Sequence, residues 1–351
     1  MIRVLVVDDS RTVRQRLIEI LGTDPDIQVV GQAADGLRAI ELVMQLRPDV
    51  ITLDIAMPDM SGLQVTEHVM AHQPTPILVV SSSFNRGELF NTYGALAAGA
   101  VDVLEKPHPD DLEWERRFVA AVRMVSKIKV ITHPRARLGE LGRTRDPSHP
   151  VTRVDPLLVP RPIDVVAIGA STGGPGALAT VLGAISAPFP LPILVILHID
   201  AQFAGAFAEW LGQQTRLPVR LAQDGELIEH AAGEVRLAPS DVHLAVQARR
   251  IRLVTSAPRN HCRPSVDVLF ESLAAEAPLR AAACLLTGMG RDGATGLLAI
   301  RRAGGYTIAQ DEATSVIYGM PREAVLLGGV DRELPLGDIG PLLDGLRKGR
   351  G

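Results

Sequence analysis

The sequence predicts an α/β protein with two parallel sheets in succession. Short β-branched runs alternate with amphipathic stretches over residues 1–125, and the alternation returns over 163–348. Between them, over 126–162, both patterns vanish among prolines and arginines. Alternating strand and helix is the mark of a parallel sheet covered on both faces. Proline and charge without a period read as a linker.

In the first half, apolar runs bounded by turn residues place strands over 2–7, 27–33, 50–53, 77–80 and 101–104. Helical spacing places helices near 11–21, 37–46, 63–70, 88–98 and 111–125. With strand order 2-1-3-4-5 this is a flavodoxin-like (βα)5 fold, whose ligands sit beyond the carboxyl ends of its strands. Residues 128–131 would prolong the last helix. In the second half, strands are expected over 164–168, 193–197, 234–238, 243–246, 251–255, 281–286 and 306–309. Helices are expected near 177–185, 203–214, 266–276, 293–303 and 321–327. This is a doubly wound α/β domain, interrupted over 234–255 by an antiparallel ribbon.

Composition narrows the function classes. The chain has 351 residues, net charge -4 and 3% aromatic residues, so no basic field or stacking platform argues for nucleic acid. Two cysteines, Cys262 and Cys284, make no disulfide framework and no metal-ligand spacing. The apolar start runs straight into Asp8 and Asp9 without a cleavage site, and no apolar run is long enough to span a bilayer. A cytoplasmic protein without membrane insertion is the expectation.

The first sheet's strand ends carry acids. Asp8 and Asp9 close the first strand, Asp54 closes the third, Ser81 closes the fourth, and Lys106 follows the fifth. Three converging carboxylates repel one another unless a hard cation such as Mg²⁺ joins them. Lys106 adds a mobile positive charge suited to a phosphoryl group on Asp54. Taken singly, each residue reads as a solvated loop group; together they read as a site.

The second half is organised around V-V-A-I-G-A-S-T-G-G-P-G, residues 165–176. A buried strand ends in small residues with one hydroxyl, Ser171, and a helix follows, with Pro175 suited to its first turn. The turn fits an exposed serine nucleophile beside backbone N–H groups. It also fits a phosphate cradle, or a plain connection with Ser171 as helix cap. A nucleophile needs a base and an orienting acid. His198 ends the strand 193–197, and Asp292 lies in the glycine-rich turn T-G-M-G-R-D-G after the strand 281–286. All three groups share the carboxyl edge of one sheet, where an active site is expected. His230, His243 and His261 are rival histidines, and Asp292 has a second reading as cap of the helix that follows it. A dinucleotide site would want an acid about twenty residues beyond the glycine turn, and none stands there.

The motifs V-V-D-D-S (6–10), L-D-I-A-M-P (53–58), V-S-S (80–82) and E-K-P (105–107) resemble those of response-regulator receiver domains. That resemblance implies phosphorylation of Asp54 by a histidine kinase of the CheA type. It implies Mg²⁺ held by Asp9, Asp54 and the Ala56 carbonyl, with Asp8 assisting through water. Ser81 and Lys106 would contact the phosphoryl group, and the Lys106–Pro107 bond would be cis. Ala56 stands where an acid or polar residue is usual, and Val103 where an aromatic switch is common.

The segments I-G-A-S-T-G-G-P (168–175), R-P-S-V-D-V-L-F (263–270), T-G-M-G-R-D-G-A (287–294), T-I-A-Q-D-E-A-T-S (307–315) and Y-G-M-P-R-E-A (318–324) resemble the CheB-type protein-glutamate methylesterases. The resemblance implies Ser171 as nucleophile, His198 as base and Asp292 as its partner, with an oxyanion hole from the N–H groups of Thr172 and Met289. It implies hydrolysis of glutamate methyl esters, and of glutamine amides, on methyl-accepting chemoreceptors. It also implies a receiver that restrains the esterase until Asp54 is phosphorylated, recruitment to membrane receptor clusters, and no metal for the ester chemistry. The glycines around Ser171 would let a receptor helix approach the Thr172 N–H. Leu197 and Asp200, beside His198, depart from the family pattern, a change expected to bear on receptor docking or on the rim of the site, and so on substrate specificity more than on chemistry; Arg291 departs within its turn. A non-enzymatic adaptor with a vestigial triad is the remaining alternative.

Overall fold

In the computed structural model the residues described are 1–82, 85–106, 111–128, 130, 163–199, 201–276 and 279–346. The linker expected over 126–162 therefore lies almost wholly outside them, as do Pro107, with its expected cis bond, and Asp200. The chain divides into two units, Met1–Asp146 and Pro147–Gly351.

The first unit alternates β1 (Ile2–Val7), α1 (Arg11–Leu21), β2 (Ile27–Ala33), α2 (Gly36–Leu46), β3 (Val50–Leu53), α3 (Gly62–His72), β4 (Ile77–Ser81), α4 (Arg86–Ala97), β5 (Asp102–Glu105) and α5 (Leu112–Val125). The sheet order is β2-β1-β3-β4-β5, all parallel. Val4–Val7, β3 and β4 are buried on both faces, which is why they read as unbroken apolar runs. Helix starts follow local chemistry: Ser10, Asp35, Ser61, Asn85 and Asp111 each accept a backbone N–H from the first turn. Helix α5 stops at Val125, capped by Ser126, so residues 128 and 130 do not prolong it.

The second unit holds a seven-stranded sheet in the order β14-β13-β12-β6-β7-β9-β8. Its strands are β6 (Val165–Ala170), β7 (Ile193–Leu197), β8 (Val219–Leu221), β9 (Val235–Leu237), β12 (Ala281–Leu285), β13 (Tyr306–Gln310) and β14 (Arg332–Leu334), all parallel. The helices are α6 (Gly174–Gly183), α7 (Ala201–Gln214), α8 (Val266–Ala275), α9 (Ala294–Arg302), α10 (Met320–Leu326) and α11 (Leu336–Gly345). β10 (His243–Gln247) and β11 (Arg250–Val254) pair antiparallel as a separate ribbon. The ribbon expected over 234–255 is thus shorter: its first run is β9, a strand of the main sheet between β7 and β8. The ribbon lies on the sheet's core, where Leu244, Val246 and Ile251 join Leu194, Ile196, Leu269 and Phe270 in one buried cluster.

Strand β6 is central, with β7 on one side and β12 on the other. The chain winds outward from β6 in both directions, so the carboxyl ends of β6, β7 and β12 flank the point where strand order reverses. That is where an open α/β sheet leaves a crevice. Among the described residues no helix is long and apolar enough to cross a membrane.

Candidate functional site

Three loops meet at that crevice. Ala170 pairs with Leu197 at the ends of β6 and β7, so Ser171 and His198 are the next residues of neighbouring strands. The His198 N–H donates to the Ala170 carbonyl at 3.0 Å and carries the pairing one step further. The turn after β12 is fastened to the Ser171 turn: Ser171 N–H donates to Thr287 O at 3.0 Å, and Thr287 Oγ1 donates to Thr172 O at 3.0 Å. Thr287 is held in turn by the buried Gln310, whose Oε1 accepts the Thr287 N–H at 2.8 Å, and Gly288 bridges to Tyr318. The T-I-A-Q and Y-G-M-P segments thus brace the turn.

Ser171 does not cap α6. The cap position is Gly173, at φ +77, and no side chain bonds the helix start. An added Cβ at Gly173 would meet Val316 Cγ2 at 2.6 Å, and one at Gly288 would meet Met320 Sδ at 2.4 Å and Ser171 Cβ at 2.7 Å. These glycines serve backbone conformation and close packing inside the domain. The expectation that they clear a path for a substrate helix is corrected, because the domain's own side chains fill that space. The N–H groups of Thr172 and Met289 donate to no acceptor among the described residues. Both adjoin the serine turn, and Thr172 precedes the N-terminus of α6, where the helix dipole favours negative charge.

His198 Nε2 lies 3.0 Å from Asp292 Oδ2. Asp292, only 2% exposed, is the most heavily bonded acid of the site. Its Oδ2 also accepts from Val266 N–H at 2.6 Å; its Oδ1 accepts from Ser265 Oγ at 2.7 Å, Asn260 Nδ2 at 3.0 Å and Asp267 N–H at 3.4 Å. Asp292 is a helix cap, but of α8 rather than of the α9 that follows it, whose cap position is Gly293. Burial works against its charge, yet bonds from His198, Ser265 and Asn260 outweigh that and hold the carboxyl below its ordinary range. Burial likewise opposes an imidazolium, but Asp292 and Cys262 outweigh it and push His198 up to about 9. Cys262 Sγ lies 3.7 Å from His198 Nδ1.

The rival histidines are placed elsewhere. His243 is fully buried, its Nδ1 accepting the Ser265 N–H at 3.1 Å and its Nε2 beside Ala257 O, a structural role. His230 is exposed in a short 3-10 helix, Ile228–Ala231, and His261 is exposed on a turn. Sequence reasoning missed Asn260, Cys262 and Ser265, which sit between the ribbon and α8 rather than at a strand end. The R-P-S-V-D-V-L-F segment was a signal for Ser265 alone; Asn260 and Cys262 lie just ahead of it. Asn260 also donates to Asp267 at 2.8 Å and so stands between two buried acids. Leu197 is 4% exposed and packs where a Cβ on Gly174 would fall, so it belongs to the core beneath the site. Met289 and Arg291 are exposed.

In the first unit, Asp8, Asp9 and Asp54 each offer an oxygen within 4.8 Å of the others. Asp8 and Asp54 are buried, while Asp9 and Ala56 are exposed. Lys106 Nζ reaches Asp54 Oδ2 at 2.7 Å and Asp8 Oδ2 at 3.0 Å. Burial raises both acids, Asp54 to about 6, against the lowering pull of Lys106. Three carboxylates against one ammonium leave negative charge that a hard divalent cation would balance, and an all-oxygen donor set suits Mg²⁺. Ser81 Oγ, fully buried, accepts from Thr92 Oγ1 at 3.5 Å, and Val103 is buried in β5.

A family described as CheB methylesterase matches residues 166–343, and one described as response regulator receiver domain matches 4–114. The chain is 44% identical to "Protein-glutamate methylesterase/protein-glutamine glutaminase 2" of Pseudomonas aeruginosa, over 100% of this chain and 99% of that one. It is 41% identical to "Protein-glutamate methylesterase/protein-glutamine glutaminase" of Nitrosospira multiformis, over 100% and 98%. The crystal structure of the Thermotoga maritima CheB methylesterase catalytic domain matches with a TM-score of 0.50 at 35% identity, covering 53% of this chain and all of that one.

Proposed function

The chain belongs to the CheB methylesterase family, with a response regulator receiver domain ahead of the catalytic one, and from that premise we propose a phosphorylation-regulated hydrolase of chemotaxis adaptation. It removes methyl groups from glutamate methyl esters on methyl-accepting chemoreceptors and deamidates glutamine side chains. The observation that carries this reading is the placement of Ser171 and His198 on adjoining strand ends, with Asp292 bonded to Nε2 of the imidazole.

The chemistry follows from that placement. Asp292 holds the proton on Nε2, so the lone pair of Nδ1 serves as base. Ser171 Oγ attacks the ester carbonyl as its proton passes to Nδ1. The carbonyl oxygen becomes an oxyanion facing the N–H groups of Thr172 and Met289. Collapse expels methoxide, which takes the proton from His198 and leaves as methanol. Water then adds to the acyl-serine by the same route, returning glutamate and free Ser171. With an amide, ammonia leaves instead.

In the receiver, Asp54 is the phosphoryl acceptor and a CheA-type histidine kinase the donor. Asp9, Asp54 and the Ala56 carbonyl would hold Mg²⁺, with Asp8 through water; the ion supplies charge neutralisation for phosphoryl transfer. Lys106 balances the buried acids and is placed to contact the phosphoryl group, and Ser81 is the polar side chain on the adjoining strand end. The protein acts in the cytoplasm at receptor clusters. A methanol-release assay on methylated receptor, with and without a phosphodonor, tests the whole reading. Release that rises with the phosphodonor and vanishes in Ser171→Ala is expected; release that survives in Ser171→Ala refutes it.

A further inference from the structure

The imidazole of His198 has one nitrogen bonded to a carboxylate and the other bonded only to a thiol. Nε2 is taken by Asp292 at 3.0 Å, while Nδ1 faces the thiol of Cys262 at 3.7 Å. That sulfur is half-buried and touches the Asn260 carbonyl at 3.4 Å. Donor atoms of His198, Cys262 and Asp292 all lie within 4.8 Å of one another. We propose that His198 Nδ1 and Cys262 Sγ, backed by Asp292, bind a borderline-soft divalent cation of the Zn²⁺ type, and that its binding turns the esterase off. The inhibitory half of this rests on His198 being the base for Ser171.

Three features carry the proposal. First, the donors are imidazole and thiolate, which select Zn²⁺ over the hard cations suited to the carboxylates of the receiver. Second, the spacing fits. With Zn–S of about 2.3 Å and Zn–N of about 2.0–2.1 Å, tetrahedral ligands stand about 3.5–3.6 Å apart. The observed sulfur–nitrogen distance is 3.7 Å. Third, a metal-binding histidine usually donates its other N–H to a carboxylate that orients the ring. Asp292 does this here, and four further donors fix it in place. The remaining coordination positions would fall to water or to Ser171 Oγ, which takes part in no hydrogen bond among the described residues. The other cysteine, Cys284, is fully buried in β12 and cannot compete.

The inhibition is a matter of one lone pair. Binding releases the thiol proton and forms a sulfur–metal bond and an Nδ1–metal bond. The electron pair that has to accept the Ser171 proton is then held by the metal. A chelator returns it.

The test uses the full chain at buffered free Zn²⁺, with each protein's methanol release referred to its own rate in chelator. Co²⁺ serves as a spectroscopic probe independent of turnover. The wild type is expected to lose activity with Zn²⁺ and recover it with chelator. With Co²⁺ it should show a sulfur-to-cobalt charge-transfer band and the visible bands of tetrahedral cobalt. Cys262→Ser should lose the band and require roughly tenfold or more free Zn²⁺ for equal inhibition. Asp54→Asn should retain both effects, which excludes the receiver acids as the site. Equal Zn²⁺ sensitivity in Cys262→Ser, or no sulfur band in the wild type, overturns the proposal. If Ser171→Ala still releases methanol, the esterase reading fails, while the cobalt band still decides the metal site.

Discussion

At the scale of the residue, the site is governed by what holds each charge. His198 is pushed up to about 9, so at neutral pH only a minor, neutral fraction of the imidazole is able to serve as the proposed base. The neutral fraction grows as pH rises, so kcat/KM for methanol release in metal-free buffer should climb with pH and level off as pH passes about 9. A profile already flat at neutral pH would contradict this. Asn260 is the second lever. Its amide lies between Asp267 and Asp292, and removing it leaves two buried acids with one fewer donor. Asn260→Ala should lower kcat/KM by about 10- to 100-fold, the worth of a hydrogen bond to a charged group. It should also move the pH profile, which a purely structural defect would not.

At the scale of the element, the turns matter more than the helices they join. Gly173 combines φ +77 with a space already filled by Val316. Gly173→Ala should destabilise the catalytic unit by about 1–3 kcal/mol, read as a lower Tm. Val316→Ala added to it should recover part of that loss, because it relieves the contact but not the backbone conformation. The strand ends that carry Ser171, His198 and Asp292 were legible because each follows an apolar run long enough to announce itself. β8 and β14 were not, being three-residue edge strands with exposed or half-buried side chains. Helix α11 was hidden by its own glycines and by Pro341 in its interior. Run 234–238 looked like one arm of a hairpin because the next two runs are a hairpin; only pairing places it beside β7. Asn260, Cys262 and Ser265 lie in a stretch whose periodicity says nothing about which acid it will meet.

At the scale of the whole molecule, two units with separate sheets and separate chemistry share one chain. Ser171, His198 and Asp292 lie wholly within the second, and the acid cluster of Asp8, Asp9 and Asp54 wholly within the first. A fragment beginning at Pro147 should therefore release methanol without a phosphodonor, at a rate above that of the unphosphorylated full chain. A folded fragment with an equal or lower rate would refute restraint by the receiver. Asp54→Asn should abolish labelling by a phosphodonor and the stimulation that follows, while methanol release stays at the unphosphorylated level.

Asp292 accepts the backbone N–H groups that open α8 while it orients His198. On the proposed mechanism one carboxylate therefore answers to two demands, folding and turnover. A lineage relieved of its ester-hydrolysing duty could shed Ser171 at no penalty to the scaffold, yet would still be bound to keep Asp292. In degenerate descendants of this domain the acid should outlast the nucleophile, a fossil of catalysis preserved by architecture.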